Sequence, residues 1–101
     1  INIGGQKFLP DDIETCINND RAVAEAVVVP APDAVYFHRA VAFVALEPGN
    51  ESEETVKARL NASLEQIFDS YKVPSEYRFL PKLPRTDLGK VLREELKQLC
   101  R

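Results

Sequence analysis

The runs Ala22-Val23-Ala24-Glu25-Ala26-Val27-Val28-Val29 and Arg39-Ala40-Val41-Ala42-Phe43-Val44-Ala45-Leu46, joined through Pro30-Ala31-Pro32-Asp33, decide the fold of this chain. The first run is apolar on both faces except at Glu25, and a strand apolar on both faces reads as central in its sheet. Pro30 and Pro32 read as the break that ends it. In the second run Val41 and Phe43 fall on one face and Val44 and Leu46 on the other. The short connection favours an antiparallel pair.

Outward from this pair, Glu47-Pro48-Gly49-Asn50 makes a turn and Ser52 caps a helix with Glu53 and Glu54 in its first turn. Val56, Leu60, Leu64, Ile67 and Phe68 keep helical spacing, so this long amphipathic helix covers the sheet. Tyr77-Arg78-Phe79-Leu80 reads as a third strand. At the start, Pro10 suits the first helical position, Asp11, Asp12 and Glu14 suit the positive end of the dipole, and Ile13, Cys16 and Ile17 supply a buried stripe. The spacing of Leu92, Leu96 and Leu99 predicts a last helix beginning near Lys90. These elements predict an α+β domain: a central three-stranded β-sheet covered by helices on one face, with a short N-terminal β-ribbon. The expected core is Val23, Val27, Val29, Val41, Phe43, Val44, Leu60, Leu64, Ile67, Leu92 and Leu96.

The chain has 101 residues, enough for one domain and one core. It is 45% hydrophobic and 29% charged, without an apolar run of membrane-spanning length. A net charge of -3, with Lys and Arg scattered, argues against nucleic acid as a partner, and no membrane partner is expected. Cys16 and Cys100 are too few for a disulfide framework and have no metal-ligand spacing with His38, so no metal site and a reduced, cytoplasmic setting are expected. His38, with no acidic or nucleophilic partner evident, is expected at the surface.

Two stretches remain that a structural role does not fully absorb. In Leu83-Pro84-Arg85-Thr86-Asp87-Leu88-Gly89-Lys90, four turn-forming residues precede a lysine. A flexible cation with three donors at such a loop-to-helix junction suits a phosphate or carboxylate oxygen of a partner, although surface lysines in ordinary connections are common. In Ile1-Asn2-Ile3-Gly4-Gly5-Gln6-Lys7-Phe8-Leu9-Pro10, a glycine pair interrupts a short apolar strand. The pair either opens the way for a ligand close to the backbone or makes a tight turn.

Taken together, the two stretches resemble the C-terminal domain of the adenylate-forming enzymes: acyl-CoA synthetases, nonribosomal peptide adenylation domains and luciferases. Ile3-Gly4-Gly5-Gln6-Lys7, with Pro10 and Ile13-Glu14, resembles the loop after that family's inter-domain hinge, and Leu83 to Lys90 resembles its closing lysine motif. Glu25 to Val29, Ala42 to Leu46 and Tyr71-Lys72-Val73-Pro74 resemble the intervening elements in the same order. Where family members often carry a Gly-Glu pair before the second strand, this chain has Tyr36-Phe37-His38-Arg39.

The resemblance implies that residues 1–101 are the mobile C-terminal domain of an AMP-forming ligase whose large N-terminal domain and hinge are absent here. Such an enzyme uses ATP (with Mg2+) to convert a small carboxylic acid to an acyl-adenylate, then passes the acyl group to CoA. It implies that Lys90 is the catalytic lysine of adenylation and that Gly4 and Gly5 line the pantetheine tunnel. Lys7, Thr86, Gly89 and Arg93 are candidate contacts to nucleotide or CoA phosphates, with Arg93 alternatively a domain-domain salt bridge. The isolated domain is expected to be inactive and to bind no cofactor. A domain loading a carrier protein, or a freestanding interaction module of the same fold, are the alternatives.

Overall fold

A computed structural model describes residues 2–3, 5–35, 37–49 and 51–100. In chain order the elements are β1 (Asn2–Ile3), β2 (Gln6–Lys7), α1 (Asp11–Asn18), β3 (Val23–Asp33), β4 (Phe37–Leu46), α2 (Glu53–Ile67), a 3-10 turn (Ser70–Lys72), β5 (Glu76–Phe79) and α3 (Arg93–Leu99). The expected α+β architecture is present, because β3, β4 and β5 form a mixed three-stranded sheet and β1 and β2 form the N-terminal ribbon. Ser52 caps α2 as its sequence predicts, its hydroxyl accepting the Thr55 N–H at 3.1 Å.

The strand in the middle is β4, not β3. It pairs antiparallel with β3 from Val23↔Leu46 to Asp33↔Phe37 and parallel with β5 from Val41↔Glu76 to Val44↔Phe79. A parallel neighbour requires a crossover, and α2 supplies it. The ribbon joins the start of β4 through Ile3↔Phe37. Both faces of β3 are buried even though it has a sheet neighbour on one side only, so its apolar pattern reports covered faces instead of a central position.

The prolines do not end β3. The outward N–H of Ala26 donates to Asn18 Oδ1 at 2.9 Å and that of Val28 to Glu14 Oε1 at 2.8 Å. In the same alternation, Pro30 and Pro32 occupy outward positions that have no N–H to satisfy, while their partners across the ladder are Ala40 and His38. Proline on the unpaired edge therefore extends the strand to 11 residues instead of breaking it. Two side chains of α1 and two prolines together block that edge to further pairing.

A bulge between Val23 and Glu25 resets which residues face which layer. Val23, Ala26 and Val28 pack with Ala40, Ala42 and Val44 against Ile13 and Ile17 of α1 and Val56, Leu60 and Leu64 of α2. Val27, Val29 and Ala31 pack with Val41, Phe43 and Ala45 against Leu83, Leu96 and Cys100. Helical structure thus covers both faces of the sheet, not one. Each large side chain so buried contributes about 1.5 to 3 kcal/mol relative to exposure.

Two expected core residues behave differently. Ile67 is 64% exposed, because the chain leaves the helix at Phe68, which turns extended and packs on the core in its place. Leu92 is half-buried, preceding α3 instead of lying in it. His38 is also half-buried, its Nδ1 donating to the Asn2 carbonyl at 3.2 Å and tying the ribbon to β4.

The turn before β3 is fastened to α2 by Arg59. Its guanidinium donates to Asp20 Oδ1 and Oδ2 at 2.7 and 2.8 Å and to Glu51 Oε1 and Oε2 at 2.5 and 3.0 Å. The Arg59 hydrogen bonds to Asp20, with a lesser one from the Ala22 N–H to Oδ1 at 2.9 Å, hold the Asp20 carboxyl below its ordinary value of 3.8. A depressed carboxylate stabilises the fold above its unfolded pKa, and that contribution is lost as pH falls through the folded one. Asp20→Asn should therefore lower the thermal unfolding midpoint near pH 7. Its deficit relative to the parent should shrink steadily below about pH 4, as read by melts of both proteins across that range.

Candidate functional site

Leu83 begins the lysine stretch as a buried anchor, 2% exposed, on the same face as Leu96. From there the chain forms a hairpin. Arg85 and Val91 make an antiparallel bridge, and the Leu92 N–H donates to the Pro84 carbonyl at 2.9 Å. At the tip, the Thr86 N–H donates to the Lys90 carbonyl at 2.8 Å, the Gly89 N–H to the Thr86 carbonyl at 2.9 Å, and the Lys90 N–H to Thr86 Oγ1 at 3.1 Å. Gly89 has φ +88. A β-turn closed by a glycine of positive φ is a common three-residue hairpin connection.

Lys90 is therefore the first residue of the hairpin's return arm and does not sit at the start of a helix. The Leu92 N–H is already committed to Pro84 and Leu92 has ψ 80, so helical geometry begins only at Arg93. Lys90 is exposed, and its side chain has no hydrogen bond or ion pair among the described residues. The neighbouring cations are both engaged. Arg85 pairs with Glu25 and donates to the Gly89 carbonyl at 2.5 Å. Arg93 donates to both oxygens of Glu14, at 2.7 and 3.1 Å. Arg93 thereby becomes part of the bracket over the β3 edge.

The glycine stretch is a second hairpin, with Asn2↔Lys7 and Ile3↔Gln6 as its pairs. Gly4 lies outside the described residues. Gly5 has φ +87, its N–H donates to Asn2 Oδ1 at 3.0 Å, and no atom lies within 4 Å of where a Cβ would stand. A tight turn and open space are thus both present at Gly5. Lys7 is exposed and shares with Lys97 and His38 the rim of a cleft of about 580 Å³, completed by Asn2, Phe8, Leu9 and Pro30. Thr86 and Gly89 belong to the other hairpin and do not meet this cleft.

The two hairpins occupy opposite ends of the sheet. Leu83 and Arg85 are fixed to Glu25 near the beginning of β3, whereas the glycine ribbon is fixed to Phe37 opposite Asp33 at its end. Eight residues of strand at about 3.3 Å each put these anchors roughly 26 Å apart.

Sequence reasoning passed over three residues here. Phe37 adopts φ 75, uncommon for an aromatic residue, and is 68% exposed beside the glycine ribbon, its ring 4.6 Å from that of His38. Backbone strain of this kind leaves no mark in composition or periodicity. Glu25 and Arg85 were visible, Glu25 as the exception in an apolar strand, but their pairing spans 60 positions and has no local signature.

The family model described as "AMP-binding enzyme C-terminal domain" matches residues 12–90. The chain belongs to this family. Over 100 residues it is 31% identical to an acetyl-coenzyme A synthetase of Chlorobaculum tepidum, covering 99% of this chain and 15% of that protein. It is 36% identical to the fatty acid–[acyl-carrier-protein] ligase ScoC of Streptomyces coeruleorubidus, covering 96% of this chain and 18% of that protein. Among solved structures, a Brucella canis acyl-CoA synthetase superposes with a TM-score of 0.87 at 30% identity, over 97% of this chain and 18% of the other. The anthranilate CoA ligase AuaEII in complex with anthranoyl-AMP superposes with a TM-score of 0.90 at 26% identity, over 100% of this chain and 20% of the other. The chain thus spans less than a fifth of the curated relatives named.

The family match ends on Lys90, at the return arm of the first hairpin. That hairpin depends on Gly89 for backbone reasons alone, since a Cβ at this position would meet no atom within 4 Å. Gly89→Ala should cost about 1 kcal/mol through the positive φ, and Gly89→Asn, which tolerates that region better, should cost less. Equilibrium unfolding of the two variants measures the difference.

Proposed function

We propose that this chain is the mobile C-terminal domain of an AMP-forming carboxylate–CoA ligase. The observation that carries the reading is Lys90, an exposed cation without a partner among the described residues, on a hydrogen-bonded hairpin at the end of the sheet opposite the glycine ribbon. The large N-terminal domain of the same enzyme is the partner, and a small carboxylic acid, ATP with its Mg2+, and CoA are the substrates. This domain's contribution to the ATP step is the lysine.

In the first half-reaction a carboxylate oxygen bonds to the α-phosphorus of ATP and the bond to pyrophosphate breaks. Negative oxygens from both reactants converge there, and a preformed cation aimed at them is worth about 3 to 4 kcal/mol. Lys90 supplies that charge, while Thr86 and Gly89 hold the turn that aims it. In the second half-reaction the CoA sulfur bonds to the acyl carbon, AMP departs, and the thiol proton is released. The domain rotates between the two steps, replacing the Lys90 hairpin with the Gly4-Gly5 ribbon, and a separation of roughly 26 Å between the hairpin anchors supports this alternation. Lys7, on the rim of the cleft with Lys97, meets phosphate oxygens in the second arrangement. Arg93 stays with Glu14 as an internal tie.

A carrier-protein thiol as the acceptor is the second reading, favoured by the 36% identity to a protein named as an acyl-carrier-protein ligase. Rates with CoA and with a loaded-arm carrier protein separate the two.

In the full-length protein, Lys90→Ala should slow acyl-adenylate formation by at least ~10²-fold. Thioester formation from supplied acyl-adenylate and the unfolding midpoint should stay near the parent's. Normal adenylation, or equal loss of both half-reactions in a folded variant, rejects the assignment of Lys90 as the adenylation lysine. Gly5→Asn tests the other end, because Asn accepts a positive φ yet adds a side chain to the space beside the turn. It should slow thioester formation in single-turnover measurements and leave adenylation intact; the opposite pattern would remove Gly5 from the thiol path.

A further inference from the structure

Glu25 is the one charged residue in β3 before its final aspartate, and it stands on the apolar face that packs against Leu83 and Leu96. Its carboxylate accepts the Leu83 N–H at 3.3 Å and pairs with the Arg85 guanidinium. Arg85 in turn donates through Nη1 to the carbonyl of Gly89, the residue bonded to Lys90. A continuous path of polar contacts therefore runs from the sheet to the backbone beside the lysine.

The rest of the hairpin has little to hold it. Residues 85–90 are all exposed, Leu88 is 97% exposed, and Val91 is only half-buried. The hydrogen bonds inside the hairpin keep its own shape but do not fix its angle to the sheet. Val91 on the core and Arg93 on Glu14 hold the chain where the return arm ends, while on the outgoing arm, beyond the buried Leu83, the Glu25–Arg85 link is the tie that sets this angle. Partly exposed ion pairs contribute little to global stability, so its effect falls on orientation.

We propose that Glu25, acting through Arg85, is the positioning residue for Lys90 in the adenylation half-reaction. The inference rests on the assignment of Lys90 in the proposed function and adds a residue that touches no substrate. A misplacement of about 1 Å in a catalytic group costs up to roughly 10²-fold in rate, so loosening one tie at the base of the hairpin is enough to matter.

The test is made in the full-length protein with Glu25→Gln, which keeps an acceptor for Leu83 but removes the charge, with Arg85→Gln, with the double variant, and with each change on a Lys90→Ala background. Either single change should slow adenylation by roughly 10- to 10²-fold, leaving thioester formation from supplied acyl-adenylate and the unfolding midpoint unchanged. The double variant should be no slower than the slower single. On the Lys90→Ala background neither change should have any further effect. Native adenylation rates in both singles, alongside a slow Lys90→Ala, overturn this inference and leave the lysine assignment standing. Parallel loss of both half-reactions and of thermal stability, or a further loss without Lys90, also overturns it. If Lys90→Ala itself adenylates normally, the proposed function falls and this inference with it.

Discussion

The pairing of β3 with β4 is the constraint on which the remaining structure depends. Ten register pairs run from Val23↔Leu46 to Asp33↔Phe37, and the side chains on both sides of this ribbon are buried. A two-stranded ribbon is not stable alone in water. Its alternation therefore demands a layer on each face: α1 and α2 on one, α3 with the start of the lysine hairpin on the other. Phe43, fully buried and central in the second cluster, shows how completely the demand is met.

The same ribbon acts as a spacer. Because each hairpin is fixed to one of its ends, the separation between the two hairpin anchors is set by strand length. Loops attached to a rigid scaffold are where binding and catalytic groups concentrate. Here both loops are themselves hydrogen-bonded turns closed by glycines of positive φ, Gly5 and Gly89.

Features governed by neighbours in sequence were legible from the residues. The cap at Ser52, the buried stripe of Ile13 and Ile17, the faces of β4 and the turn character of Thr86 to Gly89 each depend on local geometry. Features governed by distant partners were not. Pro30 and Pro32 look like breakers until the outward direction of their missing N–H groups is known, which depends on β4 lying to the other side. Ile67 keeps the helical period of the buried stripe but loses its place to Phe68, because the helix stops one residue earlier than the pattern. Lys90 was identified correctly as exposed and turn-borne, whereas its placement at a helix start failed because the Leu92 amide is taken by Pro84 across the hairpin.

The blocked edge of β3 has a bearing on how such a body behaves in a crowded solution. Asn18 and Glu14 occupy the outward amides of Ala26 and Val28, and Pro30 and Pro32 offer none. The longest strand in the molecule consequently presents no consecutive run of vacant donors along which another polypeptide could zip. In the alternation proposed above, part of the surface would be uncovered on every cycle, and this flank would not thereby become a template for self-association.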